Sequence, residues 1–250
     1  MAGHSKWANI KHRKGRQDAL KGKIFTQMGK EITIAAREGG GDPDMNPRLR
    51  LAVKKARDND MPKDNIERAI KKGTGELEGQ AFEEYTYEGY APNGVAIIVE
   101  TISDNKNRTV SEVRACFGKY DGNMGENNSV AWNFDRKGVV TIKTSGASEE
   151  DLMMEALEAG GEDVEYSPET SRIICAMTDF NSVNDYFEKS IFEIEDSQLE
   201  YIAKNKVKIT DVSIAKKVML FLDKMEEVDD VQNVYNNADI DDSVFDQLDI

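Results

Sequence analysis

The 250-residue sequence has very few of the residues that build disulfide frameworks, metal centres and nucleophilic active sites. It contains two cysteines and two histidines, and no CxxC, HExxH or GxSxG motif. Cys116 falls in a helical pattern and Cys175 in a strand pattern, which predicts two buried thiols. Because no nucleophile stands beside a base, we predict that the protein is not an enzyme, with no catalytic residue, cofactor or small-molecule substrate.

Metal-binding patterns are equally weak. His4 and His12 have no third ligand at a useful spacing, so no metal site is predicted there. The spacing of Asp42, Asp44 and Asn46 begins like a calcium loop. Proline and valine occupy the positions at which that loop needs glycine and glutamate, and we reject it.

Long hydrophobic runs are also missing. No stretch approaches the roughly 18 apolar residues that a membrane span needs, and the basic first 25 residues lack the apolar core of a signal peptide. Hydrophobic residues make up 39% of the chain and charged residues 32%, which is enough apolar material for a substantial core. We therefore expect a globular cytoplasmic protein without a membrane partner.

Positive charge is scarce in most of the chain and concentrated at its start. The formal net charge is -14, yet residues 1–75 carry 18 Lys/Arg against 9 Asp/Glu, while residues 76–250 carry 15 against 38. A basic module on an acidic chain is typical of a protein that meets phosphates with one domain, which predicts a nucleic-acid partner. The alternative is a solvated basic face, and composition alone favours neither.

The first 25 residues hold the densest group of cations, together with Trp7 and both histidines. Glycines interrupt any continuous helix here, so this arm is expected to order on a partner, with Trp7 as a packing anchor. A second candidate patch lies in the turn over residues 103–109, beside a predicted helix N-terminus that favours anions; a plain polar loop is at least as compatible. The cations of the arm are Lys6, Lys11, Arg13, Lys14, Arg16, Lys21 and Lys23, and those of the turn are Lys106 and Arg108.

Residues 1–79 are predicted to form a helical basic domain. Apolar residues at spacings of three and four predict a helix over residues 18–38. Asn46 as N-cap and Pro47 at the first helical position predict a second helix, and a third begins near Pro62. The glycine-containing residues 73–80 form a predicted linker.

From residue 82 the hydrophobic period changes from 3.6 to 2, which predicts strands. A hairpin over residues 85–103 is followed by a helix that a capping box of Thr109 and Glu112 should open. Residues 130–143 are predicted as two strands or one bent strand. A helix over residues 149–159, strands over 163–166 and 172–178, a helix over 183–189 and a strand over 206–209 then complete a β-α-β-β-α-β order, which is ferredoxin-like.

The last helix and strand, over residues 213–225 and 231–235, cannot form a domain alone, and we predict that they pair with the first hairpin around an insert. The expected fold class is α+β multidomain, with an N-terminal all-helical domain followed by two ferredoxin-like α/β domains, one inserted in the other. The predicted domains are residues 1–79, 80–130 with 210–240, and the insert 131–209, followed by a loosely attached acidic tail over 241–250.

Five separated motifs carry a resemblance to a known family. They are AGHSKWANIKHRK at residues 2–14, MPKDNIERAI at 61–70, YEGYAPNGVAIIVE at 87–100, DNKNRT at 104–109 and GNMGENNSVAWNF at 122–134. In this order, over nearly the whole length, they resemble the YebC-type family of bacterial proteins, named probable transcriptional regulators, whose mitochondrial relative is a translational activator of cytochrome c oxidase. The resemblance implies three domains around a cleft.

The resemblance implies DNA binding in transcriptional regulation, or, as the alternative, a ribosome-associated translation factor that binds ribosomal RNA and relieves stalling at proline-rich stretches. Asp121 and Asn128 stand where the family usually has glycine, and both residue types tolerate the left-handed conformation, so we expect the loop to be preserved. Carried over by motif, the implied contacts are Lys6, Lys11, His12, Arg13, Lys14 and Arg16, with Lys106 and Arg108 as a second patch.

Overall fold

The computed structural model describes residues 17–79, 81–245 and 247–248, with side chains from residue 22 onward except that of residue 242. None of the described helices is long and apolar enough to cross a membrane. The helices are α1 (Gln17–Gly39), α2 (Pro47–Asp58), α3 (Lys63–Gly73), α4 (Lys106–Lys119), α5 (Glu149–Ala159), α6 (Phe180–Lys189), α7 (Val212–Glu226) and α8 (Asp242–Phe245). The strands are β1 (Glu83–Ala91), β2 (Val95–Ser103), β3 (Asn123–Met124), β4 (Phe134–Lys143), β5 (Asp163–Glu165), β6 (Thr170–Cys175), β7 (Ile194–Ala203), β8 (Val207–Ile209), β9 (Val231–Asn236) and β10 (Ala238–Ile240).

The first three helices pack on one another around a small apolar core, as the periodicity predicts. Ile32 of α1 and Leu49 of α2 are fully buried there, with Ile66 of α3 beside them. Asn46 caps α2, because its Oδ1 accepts from the Leu49 amide at 3.1 Å while its Nδ2 donates to the Ala35 carbonyl at 2.7 Å. The cap therefore also ties the start of α2 to α1.

The first sheet has the strand order β3-β1-β2-β9, and each pair is antiparallel. The predicted hairpin of β1 and β2 is confirmed, and a short turn at Pro92–Gly94 joins its strands. Strand β9 pairs with β2, so the chain returns to the first sheet after a second sheet has formed. Helices α4 and α7 cover this sheet, where the rings of Phe117 and Phe221 meet edge to face at 5.1 Å.

The second sheet has the antiparallel order β5-β6-β4-β7, with α5 and α6 packed against it. Of the predicted residues 130–143, residues 134–143 form one strand, β4, which follows a short turn at Ala131–Asn133. The last strand of this unit is β7, and the prediction of residues 206–209 in that place is wrong. Strand β7 is an edge strand that is half-buried along most of its length, so its sequence lacks the alternation that identifies a strand. Strand β8 instead pairs in parallel with β10.

Helix α4 begins three residues before the predicted capping box, which is therefore wrong. Asn105 is the N-cap, since its Oδ1 accepts from the Arg108 amide at 3.1 Å. Thr109 lies in the first turn, where its hydroxyl donates to Asp230 Oδ2 at 2.7 Å rather than capping the helix. Lys106 and Arg108 accordingly lie inside the first helical turn and not before it.

The prediction of a loosely attached tail over residues 241–250 is also wrong for the part that the structure describes. Val244, Phe245 and Leu248 are all buried in the core of the first α/β unit. These three residues follow the i, i+1, i+4 spacing of one helical face, but Asp246 and the aspartates before and after the segment hide the pattern. The chain end therefore closes that core.

Cys116 and Cys175 are buried free thiols, which confirms the sequence prediction. Burial raises the pKa of the Cys116 thiol, and it raises that of Cys175 to about 11, so both remain protonated at neutral pH. Among the described residues, no three His, Cys, Asp or Glu side chains converge where they could hold a metal ion.

The buried position of Phe245 generates a stability prediction. Phe245→Ala should lower the free energy of unfolding by about 3–5 kcal/mol, because it removes a core aromatic and leaves a cavity. The matched control Gln247→Ala changes an exposed side chain of the same segment and should shift stability by under about 0.5 kcal/mol. Urea unfolding followed by circular dichroism measures both. Equal stability of the two variants would restore the interpretation of a loose tail.

Candidate nucleic-acid interface

One face of α1 is occupied by the loop that follows α7. Lys23, Gln27 and Lys30 lie on one side of α1, at positions i, i+4 and i+7. Lys23 Nζ donates to the carbonyl of Val228 at 3.0 Å and also to that of Glu226, and Gln27 Nε2 donates to that of Val231 at 2.6 Å. Burial lowers the pKa of Lys23. This face of α1 therefore binds protein backbone.

Asp230 is the centre of this contact. Its carboxylate is almost fully buried and accepts from Lys30 Nζ at 2.7 Å through Oδ1. Through Oδ2 it accepts from Ser103 Oγ at 2.9 Å, Arg108 Nη2 at 2.7 Å and Thr109 Oγ1 at 2.7 Å. Burial alone would raise the pKa of Asp230, but these four hydrogen bonds outweigh it and hold the pKa well below its usual range. The helical domain is thus joined to the first sheet through one ionised group.

Helix α2 adds further contacts to both α/β units. The Arg48 guanidinium binds Glu31 at 2.8 Å and Glu38 at 2.7 Å within the helical domain, and it also binds Glu84 of β1. Two lysines of the same helix reach the second sheet and its helices: Lys54 pairs with Glu188 at 2.6 Å and Lys55 with Asp196 at 2.9 Å. The helical domain is therefore seated against both units.

Helix α3 presents a cationic face to solvent. Ile66 and Ala69 are buried against the helical core, while Arg68, Lys71 and Lys72 are exposed on the opposite side. These three cations have the spacing i, i+3, i+4, which places them together on the last turns of the helix. None of the three forms an ion pair with another residue of the described chain. The cationic face of α3, meaning Arg68, Lys71 and Lys72, is free to meet an anionic partner.

The cations predicted from the sequence are distributed very differently. Lys23 and Arg108 are held by protein acceptors, and Lys106 Nζ lies 5.2 Å from the centre of the Tyr85 ring. Arg108 pairs with Asp104 at 2.9 Å and with Asp230 at 2.7 Å, so its charge is balanced by carboxylates of this chain. The side chain of Lys21 lies outside the described residues. The same holds for Lys6, Lys11, His12, Arg13, Lys14 and Arg16, and for Trp7.

The cationic face of α3 is not among the sites predicted from the sequence. The motif MPKDNIERAIKK contains it, and the signal was present: once the buried face of the helix is assigned, the remaining lysines and arginine fall on one side. Arg57, in the last turn of α2, is a further exposed cation without an ion pair to the described residues. A count of charge per segment does not separate such residues from those that hold domains together.

The fold and its surface define a class of protein, in which a cationic helical domain is docked on acidic α/β units. A family model described as the TACO1/YebC protein N-terminal domain matches residues 5–76. A second model, described as the TACO1/YebC second and third domain, matches residues 82–238. The chain belongs to the TACO1/YebC family.

Relatives match over the full length. A probable transcriptional regulatory protein of Fusobacterium nucleatum is 52% identical over 249 residues and covers 100% of both chains. A protein of the same description from Thermotoga maritima is 50% identical and covers 99% of this chain and 98% of its own. A crystal structure of a conserved hypothetical protein from Aquifex aeolicus, 45% identical, superposes with a TM-score of 0.88 over 95% of this chain and 98% of that one.

The Asp230 contact generates a prediction with a pH dependence. Asp230→Asn should lower the free energy of unfolding by about 3–5 kcal/mol at pH 7, because Lys30 is left buried without its counter-ion. The folded-state pKa of Asp230 is depressed, so its contribution is present above the unfolded value near 3.8 and is lost as pH falls below it. The difference from wild type should therefore shrink between pH 5 and pH 2, as measured by urea unfolding at each pH.

The matched control is Asp229→Asn, which changes the exposed neighbouring carboxylate. It should stay within about 0.5 kcal/mol of wild type at every pH. A pH-independent loss in Asp230→Asn, or the same loss in the control, would contradict the assigned role of Asp230.

Proposed function

We propose that this chain is a regulatory protein that binds nucleic acid, with DNA as its first target, through the N-terminal helical domain. The observation that carries the proposal is the exposed cationic face of α3, unpaired among the described residues of a chain whose net charge is -14. The description of the relatives as probable transcriptional regulatory proteins supports a regulatory role. We propose a binding role without catalysis, exercised in the cytoplasm.

Electrostatics favours an orientation in which the phosphates of the nucleic acid face the helical domain and not the acidic α/β units. Lysine and arginine side chains that neutralise phosphates release condensed counterions, and this release supplies much of the affinity of nucleic-acid binding. The acidic α/β units repel a polyanion, so the helical domain must be held with its cations outward. Lys30 and Arg48 fix the helical domain against the first unit. Lys54 and Lys55 fix it against the second unit.

We further propose a three-domain architecture for this regulator. The antiparallel order β5-β6-β4-β7 and the element order β-α-β-β-α-β support a ferredoxin-like insert. The pairing of β9 with β2 supports a discontinuous domain around that insert. The element order of this outer domain is β-β-α-β followed by α-β-β, and the buried residues of α8 and Leu248 would belong to it.

Removing the cationic face of α3 should weaken binding. The triple variant Arg68→Gln, Lys71→Gln, Lys72→Gln is compared with Lys189→Gln, Lys208→Gln, Lys216→Gln, which removes the same charge from exposed positions of the α/β units. Fluorescence anisotropy with labelled duplex DNA and with ribosomal RNA fragments, over a salt series, gives affinity and salt slope. For DNA the slope should fall in magnitude by up to about three in the α3 variant and stay unchanged in the control.

Three outcomes would count against parts of the proposal. Absence of binding to any nucleic acid at low salt would contradict it entirely. Equal effects of the two triple variants would show that net charge, and not the face of α3, governs binding. Binding to ribosomal RNA fragments but not to DNA, lost in the α3 variant alone, would replace the DNA target by the ribosome.

A further inference from the structure

Two aromatic side chains lie exposed at the junction of the two α/β units. Trp132 is 63% exposed and Tyr90 is 37% exposed, although large aromatic residues are usually covered. The indole Nε1 of Trp132 donates to the carbonyl oxygen of Ser129 at 3.0 Å, and the hydroxyl of Tyr90 donates to the same oxygen at 3.2 Å. The two rings are therefore fixed beside each other. We call Trp132 and Tyr90 the aromatic platform.

The loop that carries Trp132 of the platform is built on a buried carboxylate. The carboxylate of Glu88 accepts hydrogen bonds from three backbone amides of this loop, those of Asn128 at 2.7 Å, Val130 at 2.8 Å and Ala131 at 2.8 Å. Asn128 adopts the left-handed conformation, with φ of 67°, which agrees with the expectation that asparagine takes the place of glycine here. Gly125 packs so closely against Ser129 that an added Cβ would clash with its Oγ. Such a loop holds Trp132 in place before any partner arrives, and Tyr90 is held by strand β1.

The faces of the two aromatic rings are the parts of the platform that remain available to a partner. Both polar ring atoms are already hydrogen-bonded to Ser129, so recognition through them would break an existing contact. Among the described residues, neither ring stacks on another aromatic side chain or a cation. An exposed π surface of this kind binds flat partners, and nucleobases stack on it whatever their sequence.

Charges near the platform favour a nucleotide with its phosphate on one side. The backbone of Lys204 lies beside Asn133, the residue after Trp132, because its amide donates to the carbonyl of Asn133 at 2.7 Å. Its ammonium group is exposed and is only weakly paired, at 3.3 Å, with the exposed Asp135. On the loop itself, the exposed Glu126 disfavours a phosphate. A base over the rings with its phosphate toward Lys204 satisfies both constraints.

We propose that the aromatic platform stacks an unpaired nucleobase of a bound DNA or RNA strand. This inference rests on the proposed function, since it assumes that the chain binds nucleic acid. The platform is a separate contact from the cationic face of α3. Glu84 of β1 touches the helical domain through Arg48, whereas Tyr90 lies six residues further along the same strand, or about 20 Å away at the rise of a β-strand.

The fluorescence of Trp132 provides a direct test of the proposal. The chain has two tryptophans, so Trp7→Phe leaves Trp132 as the single tryptophan, whose fluorescence is excited selectively over that of the tyrosines. Oligo(dT) and oligo(U) are titrated into this variant, and an abasic phosphodiester oligomer of equal length serves as an anion without bases. We expect quenching of Trp132 by the base-containing oligomers and none by the abasic one. Comparing the quenching of Trp132 by oligo(dT) with that by oligo(U) distinguishes a DNA partner from an RNA partner.

Affinity provides the second readout, by anisotropy of labelled oligonucleotides with the full chain. Trp132→Ala should weaken binding roughly 5- to 100-fold, the usual effect of losing one base-stacking side chain. Trp132→Phe, which keeps a ring, should restore most of the affinity. The control Ile191→Ala changes another highly exposed apolar side chain and should bind like wild type. Circular dichroism checks that each variant is folded.

The outcomes separate this inference from the proposed function. If oligonucleotides bind but Trp132 fluorescence and the affinity of Trp132→Ala do not change, the platform is overturned and nucleic-acid binding stands. If no oligonucleotide or duplex binds, both are overturned. Quenching by a proline-rich peptide but not by oligonucleotides would overturn the nucleobase in favour of an extended peptide, which aromatic surfaces also bind.

Discussion

The buried carboxylate of Asp230 joins parts of the chain that are far apart in sequence. It receives a hydrogen bond from Lys30 of α1 and others from Ser103 at the end of β2 and from the first turn of α4. A buried charge is tolerated only when it is paired and hydrogen-bonded, so all these donors must be in place together. The orientation of the helical domain on the α/β units depends on this arrangement.

Positive charge consequently has two separate uses in the helical domain. Lys23, Lys30 and Arg48 face protein, where they bind carbonyl groups and carboxylates of the α/β units. Arg68 and Lys71 face solvent on α3. The acidic body provides the acceptors for the first group and also repels a polyanion from its own surface, so one charge asymmetry both docks the domain and directs its outer face.

Much of the fold could be predicted from the sequence, and the failures have identifiable physical causes. The helix over residues 149–159 has the predicted bounds because a serine caps it and Gly160 ends it in the left-handed conformation. Strand β7 escaped prediction because an edge strand half-buried on both faces has no alternation. The site was harder: Lys23 and Arg108 look like any basic residues in sequence, and only the tertiary contacts with Val228 and Asp230 show that they are occupied.

Hydrogen–deuterium exchange of the full chain, with and without bound nucleic acid, tests the central claim most directly. The claim is that the helical domain, held by Asp230, turns the cationic face of α3 toward the partner. Binding should slow exchange in α3 (Lys63–Gly73) and leave α5 (Glu149–Ala159), on the acidic second unit, unchanged. Slower exchange in α5 with no change in α3 would contradict the account.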